Sequence, residues 1–193
     1  MFRNNWKKEI LTIPNLLSLF RLVLIPVYAH LYLRAITPVQ HFTAGAIMAV
    51  SCLTDAIDGK IARQFNMITT LGKILDPLAD KITQLTLTLC LSIRYPVLKA
   101  VLALFIVKEL FQLILGAFHL LHGKILPGAL MTGKICTSVL FVSLIALVLF
   151  PDLPPLLVES IAVTDGVFLT ISFASYILAY FGKYALVQDL NPD

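Results

Sequence analysis

This chain contains six apolar segments, and each, as a helix, is about long enough to cross the hydrocarbon layer of a bilayer. Only 13% of the residues are charged and 59% are hydrophobic, whereas a soluble domain has roughly 25% charged residues. The pattern predicts an all-α integral membrane protein, with six transmembrane helices in a single domain over residues 1–193. The predicted spans are residues 13–33, 41–62, 75–93, 97–121, 133–150 and 157–181.

The segment before the first span, residues 1–11, mixes basic and bulky apolar side chains around Trp6. Such a mix is typical of a short amphipathic helix that lies in the membrane interface. A frayed polar tail is the alternative. The apolar run that follows is longer than the core of a signal peptide, so we expect it to be the first retained span.

Loop charges predict the orientation, because cytoplasmic loops of membrane proteins carry an excess of Lys and Arg. Both termini and the link between the second and third spans are therefore expected on the cytoplasmic side of the cell membrane. The basic residues assigned to that side are Arg3, Lys7, Lys8, Lys60, Arg63, Lys73, Lys124, Lys134 and Lys183, against Arg34, Arg94 and Lys99 on the other.

Aspartates cluster at the cytoplasmic ends of the second and third spans: Asp55, Asp58, Asp76 and Asp80. The first two are three residues apart and the last two are four apart, so on helices each pair shares a face. A carboxylate at membrane depth costs roughly 2.5–3.5 kcal/mol, and neighbouring carboxylates repel unless a cation lies between them. Hard oxygen ligands without a neighbouring histidine or cysteine predict a Mg²⁺ or Mn²⁺ site.

Two other interpretations of these acids stay open. They can serve as structural partners of the basic residues interspersed with them. They can also belong to a pathway for ions or protons, since intramembrane acids mark transporters. Their position near one membrane surface favours a binding site over a pathway. The basic residues in question are Lys60, Arg63, Lys73 and Lys81.

Small and basic residues around the aspartates suit a phosphate-bearing substrate. Gly59 and Gly72 allow a backbone to approach a ligand closely, and Ala62 keeps its face small. Arg63 offers a planar guanidinium to phosphate. Helices tolerate proline in their first turn, so Pro77 predicts that the third helix begins just before it.

The spacing D-x2-D-G-x2-A-R-x8-G-x3-D-x3-D resembles the signature of the CDP-alcohol phosphotransferases. Here it falls without departure on Asp55, Asp58, Gly59, Ala62, Arg63, Gly72, Asp76 and Asp80. Residues 13–21, Ile-Pro-Asn-Leu-Leu-Ser-Leu-Phe-Arg, are similar to the opening of the bacterial phosphatidylglycerophosphate synthases. Residues 71–81 are similar to theirs as well.

The resemblance implies a reaction. The donor is a CDP-linked lipid, usually CDP-diacylglycerol, and an acceptor hydroxyl displaces CMP at the lipid-bearing phosphate. The first three aspartates hold the metal, and Asp80 either holds metal as well or takes the acceptor's proton. A homodimer is also expected. The residues implied at the nucleotide and its phosphates are Asn15, Ser18, Gly59, Ala62, Arg63 and Gly72.

Four basic residues are candidates for binding the acceptor alcohol: Arg21, Lys81, Lys108 and Lys134. Glycerol 3-phosphate needs such cations for its phosphate. Lys108 can instead pair with the adjacent Glu109 or extend toward the surface. This Lys-Glu pair stands where the synthases usually have Arg-Glu, and Lys60 replaces an aromatic residue common after their Asp-Gly pair.

The sequence thus predicts an enzyme that transfers a phosphatidyl group from CDP-diacylglycerol to glycerol 3-phosphate. A cardiolipin synthase that uses phosphatidylglycerol is the alternative within the family, followed by enzymes acting on inositol phosphate or amino alcohols. An ion or solute carrier is the alternative from another class. The net charge of +4 comes with no nucleic-acid-binding motif, and the three cysteines form no C-x-x-C pair. We therefore expect neither nucleic acid nor zinc as a partner.

Overall fold

The computed structural model describes residues 13–64, 72–122, 124–125, 130–181 and 188–189. Within these ranges it describes the backbone alone for residues 13–14, 52–64, 73–74, 124–125 and 188–189. The predicted interfacial segment, residues 1–11, lies outside the described residues.

The described part of the chain contains six helices and one pair of two-residue strands, so the all-α prediction is confirmed apart from that short pair. Strand β1 pairs with β2 in antiparallel fashion. Each helix begins and ends within a few residues of a predicted span. The elements are α1 (Ile13–Arg34), α2 (Pro38–Gln64), α3 (Gly72–Arg94), α4 (Leu98–Leu121), β1 (Lys124–Ile125), α5 (Met131–Leu149), α6 (Pro155–Phe181) and β2 (Gln188–Asp189).

Local chemistry sets the start of α2. The hydroxyl oxygen of Thr37 accepts the backbone N–H of Gln40 at 3.3 Å, and the side-chain oxygen of Gln40 accepts the N–H of Thr37 at 3.1 Å. This reciprocal pair is a capping box, which satisfies N–H groups that the first turn leaves without a partner. Pro38 follows as the first helical residue, where the missing N–H of proline does no harm.

The start of α3 differs from the expectation. The helix begins at Gly72 and contains Pro77 in its second turn, so the prediction that it begins just before Pro77 is wrong. The proline ring removes one hydrogen bond, the one to the carbonyl of residue 73. The following turns keep their own bonds, and the helix continues to Arg94.

Four of the helices are long and apolar enough to cross a membrane. Large apolar side chains such as Leu113, Val142 and Leu178 are exposed on them. Many large apolar side chains exposed in this way are unfavourable in water and suit contact with lipid chains. The chain is therefore a multi-pass membrane protein. The four helical ranges are Asn15–Arg34, Leu98–Leu121, Met131–Leu149 and Pro155–Phe181.

Helices α2 and α3 are as long as the others, with 27 and 23 residues. They also carry the aspartates and basic residues of the motif, which lower their hydropathy. All six helices in the described part of the chain are thus long enough for the predicted spans, and four of them are also apolar enough.

The chain divides into two compact units, each described by itself. The first comprises Met1–Cys90 and Ile145–Asp152. In it α1 packs on α2, and the rings of Tyr32 and His41 meet with centroids 4.9 Å apart. Gly45 lies so close to Val148 that an added Cβ would overlap that side chain.

The second unit comprises Leu91–Leu144 and Leu153–Asp193. In it α4 packs on α6, and the ring of Phe111 meets those of Phe173 and Tyr180 at centroid distances of 5.0 and 6.3 Å. Its buried apolar side chains include Leu98, Val101, Phe105, Leu140, Leu144 and Leu169.

Candidate functional site

One face of α1 is polar and buried. Asn15, Ser18 and Arg21 recur at intervals of three residues and are 0%, 1% and 3% exposed. Intervals of three keep them on one side of the helix, while Leu16, Phe20 and Val23 are exposed elsewhere on it. An apolar helix that turns its few polar residues inward is presenting them to other protein groups rather than to lipid.

The polar face of α1 meets the two aspartates of α3. The Ser18 hydroxyl donates to Oδ1 of Asp76, and Nη1 of Arg21 donates to Oδ1 of Asp80. Since the later residue of α1 meets the later residue of α3, the two helices run in the same direction where they touch. The structure therefore brings together four of the predicted site residues from two separate parts of the chain.

The Arg21–Asp80 ion pair is asymmetric in burial. The arginine side chain is 4% exposed and the aspartate side chain is 53% exposed. The guanidinium is thus held inside the protein while the carboxylate reaches open space. A carboxylate in this position remains accessible to a substrate hydroxyl or a cation, while the guanidinium behind it holds one of its oxygens.

Helix α2 contains the first half of the motif. Its helical backbone over Pro38–Gln64 places Asp55 and Asp58 one turn apart, as predicted. Their side chains lie outside the described residues. The same holds for Gly59, Ala62 and Arg63, so their predicted roles stay predictions. Gly72, the last predicted glycine of the motif, is buried at the first position of α3.

The described half of the motif fits a divalent cation by its donor chemistry. Asp76 and Asp80 offer carboxylate oxygens one turn apart on α3, beside the Ser18 hydroxyl. Oxygen donors of this kind suit Mg²⁺ or Mn²⁺. Among the side chains described, no three acids, histidines or cysteines converge on a single point. The predicted four-carboxylate site also needs Asp55 and Asp58, whose side chains lie outside the described residues.

The candidate acceptor residues have different surroundings. Lys81 is half-buried directly after Asp80, and Lys134 is exposed in the first turn of α5. Lys108 of α4 is 2% exposed. The structure thus leaves Arg21 and Lys108 as the two basic side chains among these candidates that are removed from solvent.

Lys108 has two partners in its own unit. Its ammonium donates to Oε1 of Glu109 at 2.7 Å, so the pairing that the sequence offered as an alternative is present. The ammonium also lies 5.8 Å from the ring centroid of Tyr176 on α6, a cation–π contact. Glu109 is one-fifth exposed, which leaves this charged pair open on one side.

Sequence reasoning missed Tyr176 and Asp165, both on α6. No spacing links Tyr176 to Lys108 across 68 residues, and an aromatic residue in an apolar helix gives no signal of its own. Asp165 did carry a signal, as a lone acid in an apolar segment. It is 0% exposed with Ser143 as its polar neighbour.

This geometry defines a class of protein: a helical membrane protein in which the motif carboxylates Asp76 and Asp80 contact the buried polar face of the first helix. The family model for CDP-alcohol phosphatidyltransferases matches residues 11–175. The chain belongs to that family, as the resemblance of its motif indicated. The match covers α1 to α5 completely, and therefore includes every predicted site residue.

Several named relatives are similar to this chain. A cardiolipin synthase (CMP-forming) of Streptomyces coelicolor is 33% identical over 131 residues, which are 67% of this chain and 61% of that protein. A CDP-diacylglycerol–glycerol-3-phosphate 3-phosphatidyltransferase of Aquifex aeolicus is 34% identical over 135 residues, 69% of this chain and 72% of that protein. A cardiolipin synthase (CMP-forming)/mitochondrial hydrolase fusion protein of Schizosaccharomyces pombe is 36% identical over 122 residues, 63% of this chain and 20% of that protein. The similarity thus covers less than two thirds of the Streptomyces protein and a fifth of the yeast protein.

Proposed function

We propose that this protein transfers a phosphatidyl group from CDP-diacylglycerol to glycerol 3-phosphate, giving phosphatidylglycerophosphate and CMP. The observation that carries the proposal is the meeting of Ser18 and Arg21 with Asp76 and Asp80. It joins the two stretches that resemble bacterial phosphatidylglycerophosphate synthases into one polar site within a family of CDP-alcohol phosphatidyltransferases. The Aquifex relative, and one from Escherichia coli that is 43% identical over 70 residues, bear the name of this reaction.

The proposed chemistry is a displacement at phosphorus. The hydroxyl oxygen of the acceptor bonds to the lipid-bearing phosphorus, and the bond from that phosphorus to the bridging oxygen breaks. CMP leaves with the bridging oxygen and its electron pair. Asp80 takes the hydroxyl proton, a role that its half-exposed carboxylate allows. Arg21, buried behind Asp80, donates to one of its carboxylate oxygens and so fixes its direction.

A divalent cation, Mg²⁺ or Mn²⁺, fits the oxygen donors of Asp55, Asp58, Asp76 and Asp80, and when bound it would offset the charge of the pyrophosphate. Ser18 holds one oxygen of Asp76, which orients the other toward the site. Asn15, Gly59, Ala62, Arg63 and Gly72 are the residues proposed to line the nucleotide and its phosphates.

We place the site at the cytoplasmic surface of a six-span protein with both termini on that side and residues 1–11 in the interface. The parallel course of α1 and α3 supports this arrangement, because the intervening α2 must then return across the same layer. A site at the surface admits a lipid donor from the bilayer and a soluble acceptor from water. A homodimer is part of the proposal on the strength of the family resemblance alone.

Cardiolipin synthesis from phosphatidylglycerol is the second candidate. The observation that favours it is the similarity to the Streptomyces and yeast cardiolipin synthases, which is of the same order as that to the Aquifex enzyme. Lys108 is paired with Glu109, and Lys81 and Lys134 are more exposed. A phosphate monoester carries more negative charge than the diester of phosphatidylglycerol, so binding it requires more positive charge. The number of these cations that can reach the acceptor therefore bears on whether glycerol 3-phosphate or phosphatidylglycerol is used.

The test is CMP release by purified protein from CDP-diacylglycerol with Mg²⁺. Glycerol 3-phosphate, phosphatidylglycerol, inositol phosphate, serine and choline are supplied as separate acceptors. We expect release with glycerol 3-phosphate. Release only with phosphatidylglycerol would move the protein to the second candidate. No release with any acceptor, together with ion or solute flux across sealed vesicles, would favour the carrier instead.

A further inference from the structure

The ring of Tyr176 is held between two elements of the second unit. One contact is the ammonium of Lys108, 5.8 Å from the ring centroid. The other is Gly133 in the first turn of α5, where an added Cβ would lie 2.7 Å from the tyrosine oxygen and 3.0 Å from Cε2. The tyrosine oxygen also accepts the backbone N–H of Leu130 at 3.3 Å. Tyr176 therefore connects α4, α6 and the beginning of α5.

These contacts act on a side chain that needs orientation. Lysine carries a point charge on a flexible four-carbon stem. Glu109 is adjacent in sequence, and adjacent residues on a helix do not face each other, so this partner alone leaves the ammonium a range of positions. The ring of Tyr176 limits that range, because the negative face of an aromatic ring attracts a cation most strongly where water is excluded.

We propose that Tyr176 is a positioning residue, which sets where the Lys108 ammonium meets the phosphate of the acceptor. This inference rests on the proposed function and on the prediction from the sequence that Lys108 binds that phosphate. The ring supplies the electrostatic contact. The bond to Leu130 and the close fit against Gly133 hold the ring in place.

The close fit against Tyr176 explains why residue 133 is a glycine. Gly133 lies in a regular helical turn, where any L-residue is allowed, so backbone conformation does not require glycine there. Space requires it, since a methyl group at this position would push against the aromatic ring. Gly166 on α6 is a matched contrast, because an added Cβ there meets nothing within 4 Å.

The experiment compares four variants in the CMP-release assay, with glycerol 3-phosphate varied and CDP-diacylglycerol saturating. Tyr176→Leu removes the ring face and should raise KM for glycerol 3-phosphate about 5- to 30-fold, with a much smaller change in kcat. Tyr176→Phe keeps the ring and should restore most of the affinity. Gly133→Ala should raise KM in the same direction as Tyr176→Leu. Gly166→Ala should match the wild type.

Three results would overturn the positioning role. They are equal KM values for Tyr176→Leu and Tyr176→Phe, a fall in kcat without a rise in KM, and no difference between Gly133→Ala and Gly166→Ala. If Tyr176→Leu does not fold, the comparison of Gly133→Ala with Gly166→Ala decides the matter alone.

A measurement without turnover separates this inference from the proposed function. In protein labelled with ¹³C-lysine, Lys108→Arg identifies the signal of the Lys108 ε-methylene. The ring current of Tyr176 should shift that signal, and the shift should persist in Tyr176→Phe and vanish in Tyr176→Leu. Wild-type protein that shows the shift but releases no CMP with glycerol 3-phosphate would reject the acceptor. A signal that is unchanged by Tyr176→Leu would reject the positioning role whatever the activity.

Discussion

Among the side chains that the structure describes, each unit has one lysine or arginine that is almost completely buried, and the two are paired with their acids in different ways. Arg21 is 3% exposed and donates to Asp80 on a different helix. Lys108 is 2% exposed and donates to the adjacent residue, Glu109, at 2.7 Å. The first pair exists only when α1 and α3 pack together, whereas the second needs no tertiary structure.

This difference in pairing determines what each cation can do. Arg21 donates to a motif carboxylate, so its charge acts on the proposed base. Lys108 is held by a neighbour that does not fix its direction, so what packs over it decides its reach. In the first unit the arginine thus orients Asp80, and in the second an aromatic ring orients the lysine.

The largest expected effect belongs to the motif carboxylates. Asp55→Asn, Asp58→Asn, Asp76→Asn and Asp80→Asn should each lower CMP release by at least about 100-fold, since they remove a metal ligand or the general base. Glu159→Gln, at an exposed acid near the start of α6, is the matched control and should retain activity. Near-normal CMP release by all four aspartate variants, each shown to be folded, would contradict the proposed mechanism.

The next effect separates the two roles open to Arg21. If it serves Asp80, Arg21→Met should lower kcat about ten- to a hundredfold with glycerol 3-phosphate and with glycerol alike, which is the range of a charge-assisted hydrogen bond. If it binds the acceptor's phosphate, as the sequence predicts, KM for glycerol 3-phosphate should rise and the glycerol reaction should be spared. Arg21→Lys keeps the charge but not the planar fork, so we expect partial activity.

A smaller and more selective effect is expected at Lys108. Lys108→Met should raise KM for glycerol 3-phosphate about tenfold through the lost charge-assisted bond. Lys99→Met, at an exposed lysine of the same helix, should leave KM unchanged. A Lys108 variant that affects glycerol and glycerol 3-phosphate equally would argue against a phosphate role and weaken the contrast with Arg21.

The smallest effect concerns Asp165, a buried acid outside the motif. It is completely buried with Ser143 as its polar neighbour, and burying a group that can carry a charge is more unfavourable than burying the neutral amide of asparagine. Asp165→Asn should therefore raise the unfolding temperature by about 2–4 °C, corresponding to roughly 1 kcal/mol, without loss of CMP release. A fall in unfolding temperature would show that this carboxylate stabilises the protein through a partner of its own.

Much of the fold was predictable because apolar length and turn chemistry are local. The span predicted over residues 97–121 is the helix Leu98–Leu121, and the one predicted over 13–33 is Ile13–Arg34. The start of α3 was not predictable from Pro77, since proline is tolerated in a first turn but does not require one. Where a helix begins depends on the residues that precede it as well.

The candidate site was predictable to a similar degree. The motif spacing identified Asp76 and Asp80, and the opening of α1 identified Ser18 and Arg21. That Ser18 contacts Asp76 and Arg21 contacts Asp80 does not follow from either pattern. The predicted roles of Asp55 and Asp58 stay predictions, since their side chains lie outside the described residues.

Hydropathy and motif spacing are properties of neighbouring residues, so they suffice to identify a multi-pass helical membrane protein of the CDP-alcohol phosphatidyltransferase family. Which helix faces meet depends on how the helices pack. That packing turned the polar face of α1 toward the aspartates of α3, and it placed Tyr176 over Lys108 and against Gly133. The physical reason is that side chains far apart in sequence have no fixed separation until the helices that carry them pack together.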